Sequence, residues 1–378
     1  MKLHSFSNQA KLINSFCSMR GFLLLVLAVM ASFFTPGYAT ANETFPIYRG
    51  FNVDANKVSQ QDINDLAATG ANIVRITFNN LPMMDKTPPY AISPAAMEKL
   101  DRILDWCVAA KIRVIVDPHT FPGTNLNVTT MPDDPLWRDF AFHARIVSFW
   151  SELSRRYKDR GQVIFAYDLL NEPNLPDSAK KGGPADWNLL ASKIVAAIRV
   201  NDKTRYLVIE PMGKKLVSGI WVNNIDGLDS LELPQDSRLV VSPHMYLPLK
   251  FSHQGVFSYF NKAYSYPSKI DGVTWNKAAL RKALEPVVRF QKRYDVPILV
   301  GEFSAARWIG DSGNQYLRDL IDIFEENGWS WTYHAFRAAG VWDAEMSNVN
   351  EKDQVRYKDT PRMKMLKGYL SRNKPAPL

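Results

Sequence analysis

The sequence predicts an α/β protein built as a single-domain (β/α)8 TIM barrel. Three observations carry that expectation. Eight short apolar segments alternate with amphipathic, helix-period segments along the chain. Several apolar segments end in a polar or charged residue followed by Pro or Gly, the pattern of a buried strand that stops at a rim. Residues 42–378 carry no Ser/Gly/Pro tract, charge block or fixed-period repeat, so nothing divides them into further domains.

The first strand is expected over Phe45 to Val53, followed by a helix from Gln60 that Gly70 stops. Asn72 to Thr77 reads as the second strand and carries Arg75 inside an apolar run. A charge there must be paired if buried, and a rim carboxylate is the natural partner. Ser93-Pro94 caps a helix running to Ala110, and Arg113 to Asp117 is the third strand, ended by Pro118-His119. A long helix is expected from Trp137 to Arg160.

The fourth strand, Val163 to Leu170, delivers Asn171 and Glu172 to its end, where Pro173 forbids the ladder from continuing. A helix over Pro184 to Val200 leads to the fifth strand, Tyr206 to Pro211, which also ends in a glutamate, Glu210. Leu239 to Tyr246 is the sixth strand, with His244 and Tyr246 two residues apart and hence on one face. Phe251 to Val273 is a long aromatic loop, read as part local core and part exposed ring wall. A helix over Lys277 to Tyr294, the seventh strand Pro297 to Phe303 with Glu302, a helix over Gly313 to Asn327, the eighth strand Trp329 to Phe336 and a helix over Arg362 to Ser371 complete the series.

The N-terminus reads as a signal peptide over residues 1–41. Lys2, Lys11 and Arg20 precede any acid, Gly21 to Phe34 is apolar, and Ala39-Thr40-Ala41 fits the small-x-small cleavage pattern. A secreted or periplasmic protein is expected, with no stable membrane partner once the leader is removed; an uncleaved anchor is the rival. Cys107 is then the only cysteine, so an intrachain disulfide is impossible. The formal charge of +8 falls to +5 without the leader, and the basic residues form no stripe interleaved with aromatics, which argues against nucleic acid. A monomer is expected.

Two strand-end glutamates at one mouth of a barrel suggest paired carboxylates for acid–base work on a glycosidic bond. One carboxyl must hold its proton near neutral pH while the other stays ionised. Glu172 and Glu302 supply the pair, and Arg75 is placed to keep one of them charged. Asn171 can hydrogen-bond a sugar hydroxyl, and Tyr246 can orient a carboxylate. There is no His-Glu-x-x-His, no Gly-x-Ser-x-Gly and no Gly-x-Gly-x-x-Gly, so neither metal, serine nucleophile nor dinucleotide is indicated, and no cofactor is expected.

Taken together, Arg49 to Val53, Asn72 to Ile76 with Arg75, Asp117-Pro118-His119, Asn171-Glu172-Pro173, His244-x-Tyr246 and Gly301-Glu302-Phe303 resemble glycoside hydrolase family 5, the cellulase-like family of clan A. The resemblance spans essentially all of residues 42–378. It implies a retaining enzyme with Glu172 as acid/base and Glu302 as nucleophile, and with Arg75, His119, Asn171, His244 and Tyr246 around the sugar being cut. It leaves Glu210 without a catalytic counterpart.

One departure concerns the aromatic platform with which the family usually ends strand eight: the alignment puts His334 there. Either His334 replaces that platform or Trp331, Trp308 or Trp342 swings in; His334 and Trp331 are thus also candidate substrate contacts. Arg307 and Arg337 add positive charge nearby. The expected substrate is a β-linked glycan, most simply a β-1,4-glucan cut internally. A mannanase, an exo-acting enzyme, a glycolipid glycosidase and a catalytically weak glycan-binding barrel are the alternatives.

Overall fold

The computed structural model describes residues 45–124, 134–176, 179–215, 221–348 and 352–374. The signal-peptide expectation falls on residues 1–41, outside the described residues. Among the described residues, no helix is long and apolar enough to cross a membrane.

Eight parallel strands form the central sheet: β1 Arg49–Asp54, β2 Ile73–Thr77, β3 Arg113–Asp117, β4 Ile164–Asp168, β5 Tyr206–Ile209, β6 Leu239–Val241, β7 Leu299–Val300 and β8 Ser330–Tyr333. Their hydrogen-bonded order is β7-β8-β1-β2-β3-β4-β5-β6. The two ends approach through a parallel bridge between Val241 and Ile298, and beyond it Glu302–Phe303 pairs with His244–Met245. The result is a nearly closed barrel, the (β/α)8 arrangement expected from the alternation.

The longer helices are α1 Gln60–Ala68, α2 Pro94–Ala110, α3 Ala141–Tyr157, α4 Trp187–Asn201, α5 Lys277–Ala283, α6 Glu285–Tyr294, α7 Asp311–Glu326 and, after the last strand, α8 Pro361–Leu370. Local chemistry sets their starts. Ser59 and Asp62 form a capping box on α1, and Ser93, Asp186, Asn276 and Thr360 each accept a backbone N–H at the start of α2, α4, α5 and α8. The single helix expected over 277–294 is two, because Pro286 opens the first turn of α6 and has no N–H to continue α5. The helix expected from Trp137 begins at Ala141, with Pro135–Trp137 forming a 3-10 turn before it.

Period-two alternation explains both the core and the site. Ile73, Ile115, Phe165, Val208, Val240 and Leu299 form an apolar cluster with Tyr48 that fills the barrel. Phe45 and Tyr206 pack against it. Phe45, expected in the first strand, thus precedes β1 and joins this plug instead. A second, larger cluster lies between strands and helices. Two residues beyond the apolar plug on four of the strands, the inward positions become polar: Arg75 after Ile73, Asp117 after Ile115, Glu210 after Val208 and Ser242 after Val240.

Candidate active site

Arg75 is the hub of that polar layer. It is fully buried, and its guanidinium meets four carboxylates: Asp168 Oδ2 at 2.8 Å, Glu302 Oε1 at 2.8 Å, Glu210 Oε1 at 3.0 Å and Asp117 Oδ2 at 3.1 Å. It also donates to Asn52 Oδ1 at 3.0 Å and Asn171 Oδ1 at 2.9 Å. The planar fork of five donors makes this many partners possible, which a lysine could not reproduce. Burial pushes the Asp168 carboxyl well above the ordinary range; Arg75 opposes this, while Glu210 and Asp117 add to it.

Glu302 reaches the layer through a break in β7. Gly301 sits between Val300 and Glu302, and a Cβ there would lie 2.3 Å from Ser242 Oγ, so only glycine lets the chain pass this close to the sixth strand. Asn52 Nδ2 and Thr332 Oγ1 both donate to the Gly301 carbonyl and fix the bend. The Glu302 carboxylate then accepts from Arg75 and, at 2.9 Å, from the Tyr246 hydroxyl. Burial alone would raise its pKa. The surrounding His334, His244, Arg75 and His119 outweigh that and hold Glu302 well below the carboxylate range.

Glu172 sits just past β4 with a left-handed backbone, φ 43°, and its N–H donates to Glu210 Oε2 at 2.9 Å. Two buried tryptophans tie down the strand ends that carry this pair: Trp150 Nε1 donates to the Leu169 carbonyl and Trp187 Nε1 to that of Glu210. The Glu172 carboxyl meets His244 Nδ1 at 2.8 Å. Burial pushes its pKa up; the His244 contact opposes this, and the charges of Glu302 and Glu210 add to the rise. His244 is itself drawn well above its ordinary value: burial opposes this, but Glu210 and Glu302 prevail. One oxygen of Glu172 and one of Glu302 lie within 4.8 Å of each other. Two carboxyls thus share a small space with proton affinities pushed in opposite directions.

Glu172, His244 and Glu302 also form the one grouping with metal-ligand spacing among the described residues. The imidazole is poorly suited to that use. Its Nδ1 bonds Glu172 and its Nε2 lies 3.2 Å from Glu210 Oε1, so both ring nitrogens are already turned to carboxylates.

The open side of this pair is a cleft of about 310 Å³ lined by Asp54, Asn80, His119, Trp137, Asn171, Asn174 and His334 among others. His119, expected at the third strand's end, has φ 63° and is held by Asp117, which accepts from its backbone N–H and meets its Nδ1, each at 2.7 Å. Asn171 gives its carbonyl to Arg75 and keeps its amide N–H groups for the cleft it lines. His334 lies on the cleft wall with Nδ1 3.8 Å from Glu302 Oε2.

Trp331 requires a correction. Ser330 and Thr332 turn toward the barrel, so Trp331 faces the helices, fully buried, with its indole N–H on Glu325 of α7 at 3.0 Å. It is a core residue and touches no part of the cleft. Arg337 and Arg307 are likewise occupied: Arg337 meets Asp62, Asp65 and Glu345, and Arg307 meets the carbonyls of Gly340 and Ser347. Neither lends free positive charge to the site. Of the alternative tryptophans, Trp308 donates to the Gln254 carbonyl, while Trp342 stands beside Tyr246 with ring centroids 6.0 Å apart.

Sequence reasoning missed Asn52, Asp117, Asp168 and Trp137, and it set aside Glu210, which the structure places against Arg75, His244 and the Glu172 N–H. A usable signal existed: Asp117 and Asp168 end their strands, Glu210 directly follows β5, and Asn52 is a polar residue inside β1. Trp137 carried no such mark.

Residues 38–340 match the family described as Cellulase (glycosyl hydrolase family 5). The chain is similar to Endoglucanase C of Acetivibrio thermocellus, 28% identical over 309 residues, covering 73% of this chain and 84% of the relative. It is also similar to Cellodextrinase A of Ruminococcus flavefaciens, 23% identical over 312 residues, covering 79% and 87%. Among solved structures, Cel5A of Thermotoga maritima in complex with cellobiose superposes with a TM-score of 0.64 at 20% identity, covering 86% of this chain and 97% of the other.

Proposed function

The chain belongs to glycosyl hydrolase family 5 and is a glycoside hydrolase, and on that premise we propose that it is a retaining endo-β-glycosidase cutting a β-1,4-linked glucan or a closely related β-glycan. The observation that carries this reading is the pair Glu172 and Glu302. One oxygen of each lies within 4.8 Å of the other, and their surroundings raise the proton affinity of Glu172 and lower that of Glu302. Inverting enzymes need roughly 6.5–9.5 Å between carboxyls to seat a water, whereas retaining ones need about 5–5.5 Å. The short separation supports direct attack by a carboxylate.

In this mechanism Glu172 protonates the glycosidic oxygen while the ionised Glu302 attacks the anomeric carbon, breaking the bond to the leaving sugar and forming a glycosyl–enzyme ester. Glu172, now a base, takes a proton from water, whose oxygen displaces Glu302 and restores both carboxyls. Arg75 and Tyr246 hold Glu302 in line, one donating to each carboxylate oxygen. Glu210 holds the Glu172 backbone and, with Glu302, raises the proton affinity of His244, whose Nδ1 meets Glu172. His119, Asn171 and His334 contact the sugar at the reacting centre. No cofactor is required by these steps.

The choice of a glucan rests on the named activity of the 28% identical endoglucanase, and the cellobiose complex of the Thermotoga protein is in keeping with it. We further propose that the enzyme acts as a monomer outside the cytoplasm, as its basic–apolar N-terminus suggests. Reducing-end release from a panel of β-glucans, mannans, xylans and chitosan, with Glu302→Gln as control, tests the assignment. Release from a β-1,4-glucan that the variant abolishes supports it; release from another polymer alone replaces the substrate; silence across the panel with the fold intact sinks it.

A further inference from the structure

The mouth of the barrel has a second wing that the cleft does not include. It begins at Tyr246, beyond β6, on the far side of the strand ring from β2. His253 packs edge-on to Tyr246 at 5.1 Å and to Trp342 at 4.8 Å. Beyond His253 the rings run parallel: Phe257 at 6.0 Å and 9°, then Tyr259 at 5.3 Å from Phe257 and 6°. This staircase leads from the Glu302 carboxylate to the surface, where Tyr259 is 47% exposed.

The staircase is held in place by its own loop. The Ser252 carbonyl accepts from Ala306 N–H, the Gln254 carbonyl from the Trp308 indole, and Gln254 Oε1 from Tyr264 N–H. At its turn Gly255 has φ 77° and lies so close to Trp308 that a Cβ would be 3.0 Å from Nε1.

His253 has a defined polarity. Ser252 Oγ donates to the Tyr246 carbonyl at 2.5 Å and therefore accepts from His253 Nδ1–H at 2.8 Å. Nε2 then carries the lone pair and, among the described residues, has no hydrogen-bond partner. Burial, with His334 adding to it, pushes the ring's pKa down to about 3, so this acceptor persists at any working pH.

We propose that His253, Trp342, Phe257 and Tyr259 form a second binding wing for the β-linked glucan chain, engaging sugar units away from the scissile bond. Ring faces and edges of this kind suit the apolar faces of pyranose units, and a fixed acceptor suits a hydroxyl. This rests on the glycan reading above and extends it: the chain lies across the barrel mouth, with the polar cleft on one side of the carboxyl pair and the aromatic wing on the other.

The test is calorimetric binding of cellotriose and cellohexaose to the Glu302→Gln enzyme, alone and with Tyr259→Ala or His253→Phe added. Tyr259 is a surface ring, so its removal spares the fold, and His253→Phe keeps the ring while deleting the acceptor. The expected result is that the hexaose binds more tightly than the triose, and that each variant lowers hexaose affinity about tenfold, the scale of one good polar or ring contact. Unchanged hexaose affinity in both variants, while the enzyme that keeps Glu302 releases sugar from β-glucan, overturns the wing and leaves the proposed function standing. Failure of the parent to bind either oligomer, together with no release from β-glucan by the wild type, overturns the substrate reading and the wing with it.

Discussion

Glu172 and Glu302 bring carboxylate oxygens within 4.8 Å of each other, yet their surroundings drive their proton affinities apart. Two like charges at that distance would ordinarily raise both values. Here Glu302 is ringed by Arg75, the Tyr246 hydroxyl and three imidazoles, whereas Glu172 has one imidazole and two neighbouring carboxylates. The asymmetry is built by the fold, because Arg75 and Glu302 meet only when β2 and β7 converge on the same polar layer.

The first prediction concerns pH. Glu172 has its pKa raised above the free value of 4.5 and Glu302 has its value lowered below 4.5. The profile of kcat/KM is therefore expected to fall on the basic side as Glu172 loses its proton, above 4.5, and on the acid side only as Glu302 gains one, below 4.5. A basic limb below pH 4.5 would reverse the assignment.

Stability carries its own sign. A carboxyl depressed in the folded state, as Glu302 is, contributes stability that is present above its unfolded value of 4.5 and lost as pH falls through the folded value. His244 is raised, so its contribution is complete below its unfolded value of 6.5 and lost as pH rises through the folded value. Thermal melts of the wild type and His244→Asn should converge at high pH and separate below 6.5; parallel curves across the range would contradict this coupling.

Removing Arg75 leaves buried carboxylates without their shared cation. Arg75→Met is expected to cost about 3–5 kcal/mol in denaturant unfolding. Arg75→Lys should recover part of that stability but little activity, because a point charge cannot serve six partners at once. Full activity in the lysine variant would show that the fork geometry is irrelevant.

Trp331 and His334 are predicted to separate cleanly. Trp331→Ala opens the core between β8 and α7 and is expected to cost about 3–5 kcal/mol of stability with KM unchanged. His334→Ala should leave the melting temperature nearly in place and lower kcat/KM about tenfold, the cost of one sugar contact. Steady-state kinetics beside melts decides the matter, and a KM effect at Trp331 would restore it to the cleft.

The barrel was legible because its period-two strands and amphipathic helices repeat with few interruptions, and Ser93-Pro94 announced a helix start. Arg75 was legible as a buried charge demanding a partner, though not as one demanding four. Glu302 showed as a strand-end acid, while the Gly301 break that turns it inward depends on contacts with Ser242, Asn52 and Thr332 from three other strands. Trp331 was misread because aromatic residues suit both faces of a strand. Only the pairing of Ser330 and Thr332 with the barrel interior decides which way it points. The division of the 277–294 helix at Pro286 was readable locally and went unused. Asp134 and Trp137 reach the cleft from a loop, where no periodicity marks orientation.

The acid role proposed for Glu172 has a quantitative consequence. Glu172→Gln keeps shape but cannot release and regain a proton, and is expected to lower kcat about 10²–10⁴-fold on polysaccharide. The loss should be far smaller on an aryl glycoside whose leaving group departs without protonation. An equal loss on both substrates would argue that Glu172 serves only to hold the site together.

The most direct test of the central claim is the anomeric configuration of the first product released from a β-1,4-glucan oligomer, followed by proton NMR before mutarotation. Attack by Glu302 and then by water, each with inversion, predicts the β-anomer. The α-anomer would mean a single displacement by water and would contradict the pairing of Glu172 with Glu302 as acid and nucleophile.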